Sequence, residues 1–148
     1  MKNKLGYDVV IQTLRTANVL WRESRRFFQP YGITEAQFNV MHLLGQEPKG
    51  LSQRELSDLL VVDRSNVTLL LDRMEKSGWI TRQDVPGDRR VYRVSLTKSG
   101  KALWERVLPH YNQAIQDLVK GLPQGELKAT LKILKAIETL VKGETIRN

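Results

Sequence analysis

The chain contains no cysteine, which excludes disulfide staples, thiolate metal sites and thiol-based redox sensing together. No apolar run approaches the roughly 18 residues or more of a membrane-spanning helix. The first twenty residues are interrupted by Lys2, Lys4, Asp8 and Arg15 and show no apolar stretch ending in small residues, so a secretory leader is not expected. Also missing are a glycine-rich phosphate loop, a nucleophile elbow and a paired-carboxylate site. The acidic residues are scattered through helix caps and surface positions, and catalysis is not expected. The only histidines, His42 and His110, lack a helical histidine partner or a cysteine. They make a poor zinc constellation even if Glu23 or Glu105 joined them in space, and neither a metal nor a cofactor is assigned. No internal repeat or low-complexity tract is present.

What remains is a chain of 148 residues, long enough to bury about two-thirds of its unfolded surface in one unstapled core. A cytoplasmic location is expected, with no membrane partner. The net charge is +8, yet it is unevenly spread. Residues 1–30 and 98–148 each carry a net +4, whereas residues 51–97 are within one charge of neutral. Bulk basicity is therefore a mild argument for a nucleic-acid partner, and the placement of single arginines matters more.

Hydrophobic spacing predicts a first helix over about Tyr7 to Phe28, with Val10, Leu14, Ala17, Trp21 and Phe28 on one face and Pro30-Tyr31-Gly32 as its stop. Thr34 with Gln37, and Ser52 with Glu55, have the spacing of capping boxes, so helices should begin after each. Asp63 is the expected N-cap of a further helix ending at Lys76-Ser77-Gly78. Its Val67, Leu70, Leu71 and Met74 share a core face, which turns Arg64, Ser65, Asn66, Thr68, Arg73 and Lys76 outward. From Gly78 to Thr97 two short strands are joined by a turn at Pro86-Gly87, with Tyr92, Val94 and Leu96 alternating against Val91, Arg93 and Ser95. Thr97 should cap a long helix kinked near Pro109, and Gly121-Leu122-Pro123 separates it from a last helix over about Gln124 to Lys142.

The order helix, helix and basic hairpin is that of a winged helix-turn-helix. The expected fold is mainly α with a minor β part, carrying long terminal helices. Residues 1–32 form an N-terminal dimerisation helix, 33–97 the winged helix-turn-helix and 98–148 the C-terminal dimerisation helices of one compact domain. Three amphipathic helices outside the head supply more apolar surface than the head needs. They either pack within the chain or interdigitate with a second copy. A twofold homodimer would present two heads to half-sites about one helical turn apart on a palindromic duplex.

The major groove of B-DNA admits a helix and distinguishes bases through polar side chains near the helix start. Arg64, Ser65, Asn66 and Thr68 fall there. Asn66 suits an adenine edge, Arg64 suits guanine or phosphate, and Arg73 suits a phosphate or an internal carboxylate near Asp72. Gln53 and Arg54, at the start of the preceding helix, suit the phosphate backbone. At the hairpin tip, Arg89 and Arg90 follow Asp88, which is close enough to brace a guanidinium for a narrow minor groove.

Two segments resemble the MarR family of bacterial transcription regulators. Asp88-Arg89-Arg90 followed by Leu96-Thr97 and Gly100 is similar to the family's wing, and Leu71-Asp72-Arg73-Met74-Glu75-Lys76-Ser77-Gly78-Trp79-Ile80-Thr81-Arg82 to its recognition-helix exit. The motif match runs from about Ile33 to Leu103, and the helix order matches over nearly the whole chain. The resemblance implies a triangular homodimer joined through terminal helices, the helix from Asp63 as recognition helix, and Arg90 as a minor-groove finger oriented by Asp88. It implies further a repressor released from its operator by a small aromatic, often anionic, ligand. The expected lining of that ligand's cleft is Trp21, Arg25, Phe28, Phe38 and Met41. The alternatives are a winged-helix regulator controlled by a metal ion and a winged-helix protein-interaction module that does not touch DNA.

Overall fold

A computed structural model describes residues 4–60, 64–85 and 88–143, and the side chains of residues 64, 65, 85 and 88–91 lie outside that description. The Asp63 cap and the Pro86-Gly87 turn also lie outside it. The elements run α1 (Lys4–Phe28), a short 3-10 turn (Gln29–Tyr31), α2 (Glu35–Gln46), β1 (Leu51–Ser52), α3 (Gln53–Leu59), α4 (Arg64–Lys76), β2 (Ile80–Val85), β3 (Asp88–Leu96), α5 (Lys98–Val119) and α6 (Gln124–Gly143). Two compact units divide between Leu108 and Pro109, inside α5. The boundary expected at Thr97 is where α5 begins; the division between units falls further along that helix.

Local chemistry explains most of these boundaries. Both capping boxes form: Thr34 accepts from the Gln37 backbone while the Gln37 side chain reaches back to Thr34, and Ser52 and Glu55 do the same at α3. The Ser52 backbone and side-chain hydrogen bonds, with the nearby Arg93 charge, hold the Glu55 carboxyl below its ordinary pKa. Helix α4 ends in a Schellman motif. The Gly78 amide donates to Glu75 and the Trp79 amide to Met74, with Gly78 at φ +73°, a conformation glycine adopts without a side-chain penalty.

The core of the first unit lies where α2, α3 and α4 meet the sheet. Val40, Met41, Leu44, Leu51, Leu56, Leu60, Val67, Leu71, Met74, Ile80 and Val94 form one buried cluster, with Leu70, Trp79, Tyr92, Leu96, Leu103 and Trp104 packed against it. The three strands are antiparallel in the order β1-β3-β2. Ile80 opposes Leu96, Arg82 opposes Val94 and Asp84 opposes Tyr92, so these residues share one face of the wing. A register irregularity between Asp84 and Val85 precedes the hairpin tip. Strand β1, only two residues long, carries no sequence pattern of its own and is held by pairing Leu51 with Val94 and Ser52 with Arg93.

The terminal helices are long but poorly covered. In α1 only Phe28 is buried, and the predicted stripe residues Val10 and Leu14 are exposed. In the second unit α6 buries no residue at all. Leu131, Ile133, Leu134, Leu140 and Val141 stand exposed along it. Helix α5 runs unbroken through Pro109. No helix among the described residues is long and apolar enough to cross a membrane.

Candidate nucleic-acid interface

Helix α4 buries Val67, Leu71 and Met74 completely and leaves Asn66, Thr68 and Arg73 exposed. The 3.6-residue period thus divides α4 into a packed side and a polar side, as its sequence predicts. Arg54 is exposed near the start of α3. The backbones of Arg64 and Ser65 open α4, and those of Asp88, Arg89 and Arg90 begin β3; their side chains belong to the undescribed group. Leu69, which sequence reasoning passed over, is exposed on α4. At i, i+3 and i+7, Asn66, Leu69 and Arg73 lie along one face.

Two side-chain networks tie this helix to the wing. Arg82 on β2 donates to Glu75 Oε2 at 2.6 Å and to Asp72 Oδ1 at 2.7 Å, both on α4. Its guanidinium also lies 5.3 Å from the centre of the Tyr92 ring, within cation–π range. The Arg82 side chain is only 17% exposed. Burial pulls its pKa down, but the hydrogen bonds and charge of Asp72 and Glu75 outweigh that and raise it, so the guanidinium stays charged. Asp72 thus has Arg82 as its partner, across ten residues of sequence, while Arg73, expected to meet a phosphate or a carboxylate near Asp72, stands exposed on α4. Arg82 was legible only as a strand residue; its alternation with Ile80 on the core side of the hairpin was the available signal.

The second network runs through Gln53. Tyr92 Oη donates to Gln53 Oε1 at 2.6 Å, and Gln53 Nε2 donates to Thr68 Oγ1 at 2.6 Å. Sequence reading had assigned Gln53 and Thr68 separately to DNA; the fold joins them and engages both ends of the Gln53 amide. On the other side of the wing, Arg93 donates to the Gly50 carbonyl at 2.6 Å and lies 3.8 Å from Glu55. This fastens β3 to the turn before α3. Replacing Arg82 with methionine is expected to lower stability by about 1–3 kcal/mol, since two half-exposed carboxylates lose a largely enclosed cation. Urea denaturation measures this, and a loss below about 0.5 kcal/mol would show the clamp to be idle.

The residues expected to line an effector cleft have mixed fates. Phe28, Phe38 and Met41 are buried, with the Phe28 and Phe38 rings 4.9 Å apart. Trp21 is half-buried and Arg25 exposed. An open cleft of about 510 Å³ elsewhere in the first unit is lined by Tyr31, Trp79, Ser99, Ala102, Leu103 and Arg106. His42 stacks on Phe38 with ring centres 5.9 Å apart and accepts from Trp104 Nε1 at 3.4 Å. Because an indole N–H can only donate, His42 Nδ1 is the acceptor there. Among the described residues no group of three or more histidines or acids could hold a metal ion.

A polar helix face braced against a β-hairpin, behind two capped helices, defines a winged helix-turn-helix DNA-binding regulator of transcription. The family model described as "MarR family" matches residues 33–92. The chain is 28% identical over 133 residues to the HTH-type transcriptional regulator PecS of Dickeya dadantii, spanning 88% of this chain and 80% of that one. Wild-type MarR of E. coli in its apo form is 30% identical, with a TM-score of 0.67 over 85% of this chain and 94% of that one. CouR from Rhodococcus jostii RHA1, solved bound to p-coumaroyl-CoA, shares the fold at TM-score 0.78 and 22% identity, over 88% of this chain and 91% of that one. The chain belongs to the MarR family.

Proposed function

We propose that two copies of the chain bind a palindromic operator as a homodimer and repress transcription until a small aromatic or anionic ligand releases them. The observation that carries this reading is the bracing of the wing against α4 by Arg82 with Asp72 and Glu75. It makes hairpin and helix one rigid reading head, suited to adjacent grooves. In this reading Asn66 and Arg64 meet base edges, and Ser65 and Thr68 meet bases or backbone. Leu69 suits a thymine methyl. Arg54 and Arg73 meet phosphates, and Arg89 and Arg90 enter the minor groove with Asp88 orienting Arg90. The exposed apolar residues of α1, and separately those of α6, support the dimer, because monomers rarely leave large apolar helix faces in water. Two aromatic walls and Arg106 make the cleft beside Trp79 a reasonable seat for an aromatic anion.

Selection of bound duplexes from a random pool tests the reading, and palindromic winners are expected. On a selected duplex, Arg90→Ala is expected to weaken binding at least tenfold more than Lys142→Ala, with little change in folding. Equal affinities for the two variants would remove the wing from recognition. Repeating the selection with aromatic acids present should abolish binding for the matching effector.

A further inference from the structure

The chain of hydrogen bonds from the wing to α4 has a direction. Tyr92 gives its only hydroxyl proton to Gln53 Oε1. The Gln53 amide nitrogen, a donor only, then gives a proton to Thr68 Oγ1. Thr68 consequently spends a lone pair inward, and its own proton is left for a partner on the exposed side of α4. We propose that Tyr92 and Gln53 are positioning residues that orient the Thr68 hydroxyl as a hydrogen-bond donor toward an acceptor on DNA. This rests on the DNA-binding reading above and deepens it.

Three physical arguments support the assignment. Gln53 is held at both ends of its amide, so its flexible side chain is ordered before DNA arrives and that ordering cost does not fall on binding. Consecutive hydrogen bonds polarise one another, so a proton donated into Thr68 Oγ1 makes its remaining O–H a stronger donor. The relay also crosses three elements, from β3 through α3 to α4, joining residues 39 and 15 positions apart. Wing placement and helix readout therefore become interdependent through a single amide. The acceptors that fit are a phosphate oxygen or a major-groove acceptor, namely guanine O6 or N7, adenine N7 or thymine O4. The cytosine amino group, a donor, does not fit.

The experiment is a double-mutant cycle on a duplex selected with the wild-type protein, using Tyr92→Phe, Thr68→Val and the double variant, with Thr68→Ser as the conservative control. Thermal melts establish that each variant folds. Tyr92→Phe is expected to weaken binding about three- to tenfold in the wild type and in Thr68→Ser. It should cause no further loss once Thr68 is valine. Independent, multiplying losses, or no loss from Tyr92→Phe, would overturn the relay. Duplexes carrying single methylphosphonates, and duplexes with base analogues lacking one major-groove acceptor, then locate the acceptor. One scan should reveal a position where Thr68→Val costs nothing more, which distinguishes a phosphate from a base partner. A flat response in both scans overturns the donor assignment. If no duplex emerges from the selection at all, the DNA-binding reading itself falls and the relay falls with it.

Discussion

Gly100→Ala is expected to destabilise the first unit by about 3 kcal/mol or more, the upper range for forced overpacking. A Cβ at position 100 would lie 1.9 Å from the Trp79 carbonyl oxygen and 2.8 Å from its carbonyl carbon. Both are backbone atoms and cannot rotate away. Trp79 is also fixed from three directions: its amide closes the Schellman motif on Met74, its carbonyl accepts from the Thr97 amide, and its ring packs on the core cluster. Relief would require α5 to back away from the root of the wing. A natural control is Gly125→Ala, also in a helix, where nothing lies within 4 Å of the added carbon. That change should be neutral or slightly stabilising, because alanine favours helix over glycine. Urea midpoints for the pair measure the contrast. Equal midpoints would show that the α5–wing junction yields easily and has no part in holding the head together.

Leu134→Glu is expected to convert the proposed homodimer to monomers or to unfolded chain at micromolar concentration. Leu134 lies on α6 among Leu131, Ile133, Leu140 and Val141, all exposed in the single chain. A large apolar side chain fully buried at an interface contributes roughly 1.5–3 kcal/mol. An unpaired carboxylate in its place adds a desolvation cost several times larger unless the interface opens. Twofold symmetry doubles the effect, since each variant copy brings its own charge. Sedimentation equilibrium, run beside the wild type, measures the outcome. A folded Leu134→Glu dimer of unchanged affinity would count against α6 as the joining surface. Glu138→Gln is a suitable companion: its carboxylate pairs with Lys142 at 2.5 Å in an exposed i, i+4 bridge, the kind that contributes little, and it should leave assembly intact.

Much of the head was legible in the chain. Thr34 with Gln37 and Ser52 with Glu55 announce their helices through a purely local code, because each capping box closes within four residues. Val67, Leu71 and Met74 reveal the buried side of α4 by spacing alone, and Val94 the core side of the wing. What stayed hidden is non-local. Nothing in the order of residues says that Arg82 reaches back to Asp72 and Glu75, or that Gln53 joins Tyr92 to Thr68; those pairings exist only once the hairpin folds against α4. Strand β1 escaped notice for the same reason, since two residues cannot show a period and depend on β3 for their geometry. Pro109 was expected inside the long helix that follows Thr97, and α5 does run through it from Lys98 to Val119. The apolar spacing along α1 was legible, but of its predicted stripe only Phe28 is buried and Val10 and Leu14 are exposed, because spacing marks a helix face without saying what covers it.

One carbonyl group ties several parts of the head together. The Gly78 oxygen receives hydroxyl protons from both Thr97 and Ser99, at 2.6 and 2.7 Å, while Thr97 also takes a proton from the Gly100 amide at 3.1 Å. The glycine just past α4, the root of the hairpin and the opening turn of α5 thus meet at one acceptor. Displacing the opening turn of α5 therefore strains the end of α4 and the base of the hairpin together, because all three draw on that one oxygen.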